Sequence, residues 1–600
     1  MCRERLREQG PSRSCEFVRH RHDLELVSER SRDDLDDVAN HYLREVEHFF
    51  ATYKQLEGAV VEPQGWEGAA KGTGQVRTWT WKQALDETRR MAAHLQSLGL
   101  PPGSKIALIS KNTAHWMMTD WAIWMAGFIS VPLYPTLAAD TVRQIVEHSE
   151  AKLLFVGKLD GWDGMKAGVP AGMACISHPL SPKNAFPTWD DIIAKTHPLA
   201  GHPVRAAEEL CTIMYTSGTT GMPKGVMHSF GTLAWCIESG LKRVPLDHHA
   251  RMLSYLPMSH IVERVLVEHG CLAVGMKVFF AESLETFTID LNRAKPTVFF
   301  SVPRLWVKFQ QGINHKMPPA KLNKLLKLPL IGGLVRKKIL KALGLDQCTF
   351  AAGGAAPMPP ALLTWYTKLG LDLVEGYGMT ENGAISHATL PGKSRPGTVG
   401  LPYDGVQSRI DPVSGEIQMK SPGVMIGYYK EPGQTKDAFT ADGWLRTGDK
   451  GSLDAEGNLK ITGRVKDLFK TSKGKYVAPA PIEDRLVMHE AIEACAVTGA
   501  NLGQPLGIVM LNADGILQAA DGDGRKALET SLAAHMKAIN DKLDPHEQLD
   551  CLVLVTTPWT VDNGFITPTF KIKRNRVEEV YGGNYERWVS ARKKILWDGA

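Results

Sequence analysis

The chain has 600 residues, of which 43% are hydrophobic and 22% charged, and its formal net charge is +5. This composition fits a soluble globular protein that is long enough to bury extensive cores in several domains. The charge is too small to indicate nucleic-acid binding by itself. The nine cysteines lack the spacing of a zinc site, which favours buried free thiols in a reducing compartment.

The sequence predicts neither a targeting segment nor a membrane span. The first 22 residues of an expected extension at 1–32 are rich in arginine but lack the apolar run of a secretory signal, and Glu4, Glu8 and Glu16 argue against an organelle transit peptide. We expect this stretch to be a disordered extension or an over-extended start of the chain. The charge-free stretch 121–139 is interrupted by Pro132 and Pro135, so a spanning helix is not expected there.

Strands and helices alternate along the first part of the chain. The pattern predicts a strand over 76–81, a helix over 82–98 that ends at Gly99, and a second strand over 105–109. Residues 115–128 carry several tryptophans and methionines, which favours a buried helix over a membrane-facing one. This alternation is typical of an α/β domain with a parallel sheet.

The pattern changes near residue 400, where short strands and turns begin to dominate. After residue 464 the chain is charged and has the character of an α+β domain. A domain boundary is therefore expected near Lys466, with predicted domains at residues 33–465 and 466–600.

An apolar run at 210–215 leads into a loop rich in glycine and hydroxyl side chains. Residues 215–225 have the sequence Tyr-Thr-Ser-Gly-Thr-Thr-Gly-Met-Pro-Lys-Gly. Glycines let the backbone approach a ligand, small hydroxyls donate hydrogen bonds, and a lysine adds a charge suited to phosphate. The loop differs from a Walker A motif, because Met222 and Pro223 separate Gly221 from the lysine. A flexible linker is the alternative, but the ordered run that follows argues against it.

Four further motifs follow the loop along the chain. They are Gly-Tyr-Gly-Met-Thr-Glu at 376–381, Gly-Trp-Leu-Arg-Thr-Gly-Asp at 443–449, Gly-Arg-Val-Lys-Asp-Leu-Phe-Lys at 463–470 and Thr-Pro-Thr-Phe-Lys-Ile-Lys-Arg at 567–574. Together with the loop, they resemble the adenylate-forming superfamily of acyl-CoA synthetases, luciferases and peptide-synthetase adenylation domains. The resemblance implies a large layered α/β domain with two sheets flanked by helices and a small β-barrel-like part. A small mobile α+β domain would follow it.

Five shorter segments are similar to those of long-chain fatty acyl-CoA synthetases. They lie at 131–137, 255–264, 302–306, 353–358 and 427–430. The resemblance implies an AMP-forming ligase that converts a long-chain fatty acid into acyl-AMP and then into acyl-CoA. A CoA ligase for medium-chain or aryl acids is the alternative. A non-catalytic nucleotide-binding relative is a third reading, and the presence of Lys571 and Glu381 argues against it.

The implied reaction uses ATP, coenzyme A and Mg²⁺. A carboxylate attacks the α-phosphate of ATP and releases pyrophosphate, and the thiol of coenzyme A then attacks the acyl-AMP and releases AMP. Because the first step brings two anions together, positive charge and positioning should dominate catalysis.

The resemblance assigns catalytic roles to five residues. Lys571 would bridge the carboxylate and the α-phosphate, and Arg464 would contact the nucleotide. Thr380 would contact an α-phosphate oxygen, and Glu381 would hold Mg²⁺, since hard oxygen ligands suit this ion. His260 would lie near the acyl pocket, although a lone histidine can equally be an ordinary core residue.

The resemblance also implies contacts to the rest of the nucleotide. Asp449 would accept the ribose hydroxyls, and Tyr377, between Gly376 and Gly378, would flank the adenine. The β- and γ-phosphates would be held by Thr216, Ser217, Gly218, Thr219, Thr220, Gly221 and Lys224.

Lys466 matches the hinge about which the C-terminal domain would rotate between the two half-reactions. Lys571 would serve adenylation, and a different face of the same domain would serve thioester formation. Gly474 and Tyr476 would lie on that other face and line the path of the pantetheine arm.

Residues 310–345 contain eight Lys/Arg and no acidic residue. Lys321, Lys324 and Lys327 are interleaved with leucines, which predicts a basic amphipathic helix. Such a helix can lie on an anionic membrane, or it can be an ordinary solvated helix packed by its leucines, and the sequence leaves both open. The expected partners are fatty acid, ATP and coenzyme A, without nucleic acid. The expected location is the cytoplasm, with peripheral contact at the inner face of a membrane in the first case. The oligomeric state is not predicted.

Overall fold

The structure is a computed structural model that describes residues 65–69, 76–216, 222–283, 285–356, 358–561, 563–567 and 571–598. The predicted extension 1–32 lies outside the described residues. The central residues of the Gly/Ser/Thr loop, 217–221, also lie outside them.

The largest described sheet has seven strands. Their order across the sheet is Gly427–Tyr428, Lys224–Ser229, Leu210–Thr216, Ile129–Leu133, Lys105–Ile109, Leu153–Val156 and Ala174–Ser177. The last five strands run parallel, and their apolar runs are buried, as expected for a parallel sheet covered on both faces. The apolar run before the loop and the ordered run after it are neighbouring antiparallel strands of this sheet.

A second sheet has five strands. Their order is Val298–Ser301, Phe350–Gly353, Leu373–Tyr377, His387–Ala388 and Leu401–Pro402. The first three are parallel and the last two are antiparallel additions. A third sheet has four strands in the order Val76–Thr80, Gly65–Ala69, Lys277–Phe280 and Arg251–Ser254.

Helices pack against these sheets and connect their strands. In chain order they are Trp81–Ser97, Ala114–Met125, Ala139–Ser149, Trp162–Met165, Trp189–Lys195, Phe230–Leu241, Ile261–Glu263, Gly270–Val274, Phe287–Ala294, Pro303–Lys316, Pro319–Lys327, Ile331–Ala342, Pro360–Lys368, Pro432–Ala438, Ala480–Leu486, Ala513–Ala520, Gly522–Asn540, Arg574–Tyr581 and Tyr585–Ser590. Short 3-10 turns cover Lys166–Gly168, Thr380–Asn382 and Gly582–Asn584, and a π-helix covers Arg264–His269.

The helix Trp81–Ser97 begins where the sequence predicts a strand-to-helix change. Thr80 accepts a hydrogen bond from the Gln83 N–H, and Gln83 accepts one from the Thr80 N–H, so both free N–H groups are satisfied. The helix Ala114–Met125 is buried on nearly every side, which confirms the predicted core helix. Within the described residues, no helix is long and apolar enough to cross a membrane.

The small β portion of the chain is a four-stranded antiparallel sheet. Its strands are Gln407–Ile410, Glu416–Lys420, Leu445–Leu453 and Leu459–Arg464. Short loops with glycine and aspartate join the first two strands and the last two strands, and residues 421–444, which include the helix Pro432–Ala438, join the middle pair. These short strands and turns explain the change of pattern in this part of the sequence.

The C-terminal segment, residues 466–598, has its own sheet and its own core. The sheet contains Ile492–Thr498, Leu506–Leu511, Leu552–Val555 and Ile595–Trp597. A two-stranded hairpin, Phe469–Lys470 with Tyr476–Val477, precedes it. The whole architecture is α/β with layered sheets and a smaller α+β part, as the sequence predicts. The seven described cysteines are all free thiols and six are buried.

Candidate active site

One cavity of about 3680 Å³ lies between the small β portion, the five-stranded sheet and the C-terminal segment. Residues that are far apart in the sequence line it together. The predicted site residues among them are Thr216, Lys224, His260, Gly376, Tyr377, Gly378, Thr380, Glu381, Asp449, Arg464, Lys466 and Lys571. The structure thus brings most of the predicted site into one cleft.

Asp449 is held between two partners on the floor of this cleft. Strand pairing places it opposite Arg464, whose Nε lies 3.1 Å from Oδ1 of Asp449. The Tyr377 hydroxyl donates to Oδ2 at 2.6 Å. Burial, followed by the nearby Asp449 charge, raises the pKa of Tyr377 well above its usual value. The tyrosine therefore stays a neutral donor, and the carboxylate keeps spare lone pairs toward the cleft.

Glu381 is oriented by a residue to which the sequence assigned no role. The Tyr428 hydroxyl donates to Oε1 of Glu381 at 2.9 Å, and Nζ of Lys224 lies 5.0 Å from the centre of the Tyr428 ring. Burial, with Glu381 as a secondary cause, raises the pKa of Tyr428 above its usual range. Tyr428 lies in the segment 427–430 that resembles the long-chain synthetases, but its contact with Glu381 is visible only in the fold.

Close backbone packing fixes the turn that carries Thr380 and Glu381. A Cβ at Gly378 would lie 2.4 Å from the carbonyl carbon of Ala384, so only glycine fits there. His228 donates from Nε2 to the carbonyl oxygen of Thr380 at 2.7 Å. Asn382 accepts the Met379 N–H through its side chain at 2.9 Å. These contacts hold the backbone of the turn in the position described here.

The two ends of the Gly/Ser/Thr loop are also fixed. Thr216 pairs with Lys224 across the antiparallel strands, so the loop closes over a single pair of neighbouring residues. Both ends line the cleft. The predicted phosphate ligands Ser217, Gly218, Thr219, Thr220 and Gly221 lie outside the described residues, and their contacts stay a prediction.

Lys571 reaches the cleft from a turn of the C-terminal segment. The Thr567 N–H donates to the Lys571 carbonyl at 2.8 Å, and the Lys571 N–H donates to the Thr567 hydroxyl at 3.1 Å. Desolvation lowers the pKa of Lys571, Arg464 lowers it further, and Asp449 and Glu381 oppose this. The side chain is still open to the solvent of the cleft. In the described part of the chain no carboxylate forms an ion pair with it.

His260 faces Lys571 across the cleft. Its Nδ1 accepts the Val262 N–H at 3.3 Å, so the ring caps a short helix. Burial, with the Lys571 charge as a second cause, lowers the pKa of His260 to about 4. The ring is therefore neutral near pH 7, and its Nε2 remains for a ligand. This geometry places His260 at the predicted position, although its role stays a prediction.

The predicted hinge and coenzyme A residues differ in position. Lys466 lines the cleft and precedes Asp467, whose Oδ2 lies 3.2 Å from Nε of Arg574. Gly474 and Tyr476 do not line it. They belong to the hairpin after residue 469, where Gly474 has a positive φ of 77° and Tyr476 is exposed. The two assignments to the coenzyme A path stay predictions on this outer face.

The cleft continues into a space with an apolar wall. One face of the five-stranded sheet supplies part of it, because alternate residues of a strand point to the same side. On the opposite side lie residues that follow His260 along the chain. The apolar lining residues from these two sources are Val262, Val265, Leu266, Val298, Phe300, Phe350, Ala352 and Val374.

A buried polar network supports the loop that carries His260. Oε1 of Glu263 accepts hydrogen bonds from the Ser254 hydroxyl at 2.7 Å, the Tyr255 N–H at 3.1 Å and the Asn112 amide at 3.3 Å. Asn112 also accepts the Met258 N–H at 3.1 Å. Burial raises the pKa of Glu263 to about 8. No local sequence pattern reveals this network, since Asn112 and Glu263 are 151 positions apart.

The cleft suits a magnesium ion that is bound mainly by phosphate. Mg²⁺ usually takes one or two carboxylates together with substrate phosphates and water. Glu381 offers this, because only its Oε1 is engaged by Tyr428. The described residues contain no cluster of three or more metal-binding side chains.

Comparison with protein families agrees with this geometry. A family model described as AMP-binding enzyme matches residues 60–429, more than half of the chain. The chain belongs to the AMP-binding enzyme family. A second model, described as inorganic pyrophosphatase, matches residues 22–82, a short segment that is mostly outside the described residues and indicates no membership.

Two curated relatives of this AMP-binding enzyme are similar over most of their length. Long chain acyl-CoA synthetase 6, peroxisomal, from Arabidopsis thaliana is 29% identical, with 89% of this chain and 84% of that protein covered. Long-chain-fatty-acid–CoA ligase FadD15 from Mycobacterium bovis is also 29% identical, with 84% of this chain and 91% of that protein covered.

Solved structures share the fold of this AMP-binding enzyme. A carboxylic acid reductase didomain from Segniliparus rugosus, solved in complex with AMP, has a TM-score of 0.76 at 21% identity and covers 97% of this chain and 87% of that chain. An anthranilate CoA ligase in complex with anthranoyl-AMP has a TM-score of 0.72 at 20% identity, covering 90% of this chain and 96% of that chain. At these identities the likeness concerns the fold alone.

Proposed function

We propose that this AMP-binding enzyme is an ATP-dependent ligase that activates a long-chain fatty acid to acyl-AMP and then to acyl-CoA. The observation that carries the proposal is one continuous cavity. Polar groups suited to a nucleotide lie at its mouth, Lys571 and His260 face each other within it, and an apolar wall continues from there. The names of the relatives support the same activity and the same substrate class.

In the first half-reaction, Lys571 would lie between the two anions that must meet. Its ammonium would contact the fatty acid carboxylate and an α-phosphate oxygen, and would stabilise the negative charge that gathers there. Neutral His260 would donate from Nε2 to the same region. Partial desolvation strengthens both interactions, since charges attract more strongly where water is excluded.

The nucleotide would be held by the floor and the rim of the cleft. Asp449, fixed by Tyr377 and Arg464, would accept the ribose hydroxyls through its free lone pairs. The loop that begins after Thr216 would hold the β- and γ-phosphates, and Thr380 an α-phosphate oxygen. Glu381 would hold Mg²⁺, which when bound neutralises charge on the leaving pyrophosphate.

The second half-reaction would need another arrangement of the C-terminal segment. After pyrophosphate leaves, rotation near Lys466 would carry Lys571 away from the acyl-AMP. The hairpin with Gly474 and Tyr476 would then line the pantetheine path. Tyr476 is exposed on the outer face, which is consistent with a surface that faces the cleft only after the rotation. We also propose a cytoplasmic location for the enzyme.

Exchange of pyrophosphate into ATP tests the activity directly, with a series of saturated acids of increasing length and with benzoate. We expect exchange to rise steeply toward long chains, because each buried methylene adds about 0.8 kcal/mol of binding. Stronger exchange with benzoate or with medium-chain acids would favour the alternative ligase. No exchange with any acid would contradict the proposed function as a whole.

A further inference from the structure

A basic hairpin projects from the surface beside the five-stranded sheet. It consists of the helices Pro319–Lys327 and Ile331–Ala342 and the connection between them. Its cations, together with the preceding Lys316, are all exposed, and within the described chain none of them forms an ion pair. These cations are Lys316, Lys321, Lys324, Lys327, Arg336, Lys337, Lys338 and Lys341. Ordinary surface lysines are mixed with carboxylates, whereas this surface carries positive charge that no described carboxylate balances.

The tip of the basic hairpin is apolar. Leu330 is 89% exposed and Leu334 69% exposed, and Leu328 and Ile331 beside them are also exposed. Leu330 adopts a positive φ of 63°, a conformation that a leucine takes only where surrounding contacts impose it. Large apolar side chains that gather at one exposed point mark a contact surface.

The exposure of the tip does not result from loose packing of the hairpin. Leu322 and Ile339 are buried and anchor the two helices in the hydrophobic cluster that contains Trp306 and Tyr366. Nε of Arg336 donates to the Lys368 carbonyl at 2.9 Å. The inner leucines therefore pack, and a separate set at the tip remains uncovered.

We propose that the basic hairpin docks this enzyme on an anionic lipid bilayer, with Leu330 and Leu334 inserted below the headgroups. The cations that flank the tip would lie at the level of the lipid phosphates. Apolar residues at the centre and cations around them match the profile of an anionic membrane surface. A nucleic acid or an acidic protein would satisfy the cations but would leave the leucines in water, so the bilayer fits both features.

The docking surface also lies close to the cleft. Arg336 contacts the C-terminal end of the helix Pro360–Lys368, and the N-terminal end of that helix lines the cavity. The helix has nine residues and is therefore about 13 Å long. A fatty acid that leaves the bilayer beside the hairpin would have a short path to the apolar wall.

Vesicle flotation of the full chain tests the docking proposal. The vesicles contain phosphatidylcholine mixed with phosphatidylglycerol, and phosphatidylcholine alone serves for comparison. We expect flotation with the anionic vesicles, and a loss of at least about tenfold in apparent affinity for Leu330→Ser/Leu334→Ser. Replacing Lys337, Lys338 and Lys341 with Gln should lower affinity about fivefold per cation at low salt. The matched control replaces Ile289, which is 70% exposed elsewhere on the surface, with Ser.

A second readout keeps the proposal open to refutation. In the Leu330→Trp variant, anionic vesicles should shift tryptophan emission to the blue, because the tip enters an apolar environment. Equal flotation of the tip variant and the Ile289 control, or an unshifted emission, would overturn the proposal. Duplex DNA binding that needs the cations but not the leucines would also overturn it. Binding does not depend on ligase activity, and pyrophosphate exchange in detergent should be unchanged in the tip variant, so the two proposals can fail separately.

Discussion

Positive charge has different surroundings in two regions of the molecule. One region is the interior beside the seven-stranded sheet, and the other is the cleft at the C-terminal segment. Arg264 is fully buried and satisfied by the protein itself. Lys571 lies in the cleft, where the described residues provide no ion-pair partner. We infer that Arg264 stabilises the fold, whereas Lys571 remains available to a ligand.

Arg264 stands at the centre of a closed network. It pairs with Asp120 and, at 3.0 Å, with Glu268, and it donates to the Thr212 hydroxyl at 2.7 Å. Its guanidinium lies 5.5 Å from the ring centre of Trp116. Burial alone would lower its pKa, but the two carboxylates raise it. Burial in turn raises the pKa of Glu268 well above its usual value, so one proton helps to balance the network.

The largest expected effect comes from opening this network. Arg264→Met leaves Asp120 and Glu268 buried without a cation, and should destabilise the fold by about 3–5 kcal/mol at neutral pH. Chemical denaturation measures the loss, which should shrink as the pH falls and the carboxylates take up protons. The exposed Arg525, paired with Glu529, is the matched control, because Arg525→Met should change stability by less than about 0.5 kcal/mol.

A triple variant separates the charge effect from the packing effect. Arg264→Met combined with Asp120→Asn and Glu268→Gln removes all three ionisable groups and should regain most of the lost stability. If the triple variant were no more stable than Arg264→Met, the lost stability would come from poorer packing and not from unpaired carboxylates. The proposed role of Arg264 in neutralising buried charge would then be wrong.

Lys571→Ala probes the cleft side of the comparison. Adenylate formation should fall by about 10²–10³-fold, because the cation acts on charge that develops in the transition state, while stability should barely change. Conversion of supplied acyl-AMP to acyl-CoA should persist, since Lys571 is proposed to leave the site by then. The neighbouring Arg576, which does not line the cavity, gives the control variant Arg576→Ala. Equal loss in both half-reactions would contradict the proposed division of labour.

These two charges also show what a sequence can predict. The strands on both sides of the loop and the buried helix Ala114–Met125 follow from local patterns. The gathering of Glu381, Asp449, Arg464 and Lys571 in one place was implied only by the resemblance of their motifs to the adenylate-forming superfamily. Periodicity and glycine spacing are patterns over a few residues, so they can be recognised without knowledge of the fold. The fold then confirms the proximity of these residues, while their roles stay predictions.

Partners across long sequence distances were not predictable. Tyr428 donates a hydrogen bond to Glu381, which lies 47 positions away in the sequence. Glu263 likewise accepts a hydrogen bond from the distant Asn112. No local pattern distinguishes Arg264 from a surface arginine, since only tertiary packing buries it. The exposed tip at Leu330 was missed for the same reason, because helical periodicity cannot tell an inner leucine from one at a turn.

Glu263 is a buried carboxyl, and among the described residues no cation pairs with it. Its pKa is raised by burial to about 8, above the unfolded value near 4.5. The native state therefore holds a proton that the unfolded chain releases, and wild type should lose stability as the pH rises through this window. Glu263→Gln keeps the acceptor oxygen and should be equal to wild type near pH 5 but more stable by about 1–3 kcal/mol near pH 8.

Denaturation curves of both proteins across this pH range measure the difference. Glu456→Gln, at an exposed loop position, is the control and should leave the pH dependence unchanged. Parallel curves for wild type and Glu263→Gln would mean that the carboxyl is ionised in the fold, and that the interior tolerates a charge without a cationic partner.

The smallest expected effect concerns an ion pair that spans the cleft. Arg304, on the helix Pro303–Lys316, pairs with Glu493 of the C-terminal segment, and Nζ of Lys308 lies 3.7 Å from the same carboxylate. These contacts occur in the arrangement in which Lys571 faces His260, and the proposed rotation near Lys466 would break them, so they should stabilise the adenylation arrangement. Because the arginine side chain is 43% exposed, the pair should contribute about 0.2–1 kcal/mol.

Glu493→Gln should therefore slow adenylate formation about two- to fivefold, and leave thioester formation from supplied acyl-AMP unchanged or faster. The charge-swapped double variant Arg304→Glu/Glu493→Arg should recover part of the lost rate of adenylate formation. High salt should lower the wild-type rate toward that of Glu493→Gln, because it screens the ion pair. If Glu493→Gln slowed both half-reactions equally, the pair would support the fold in general. Glu493 would then be a cleft charge that stabilises the fold, and among the cleft charges discussed here only Lys571 would be reserved for a ligand.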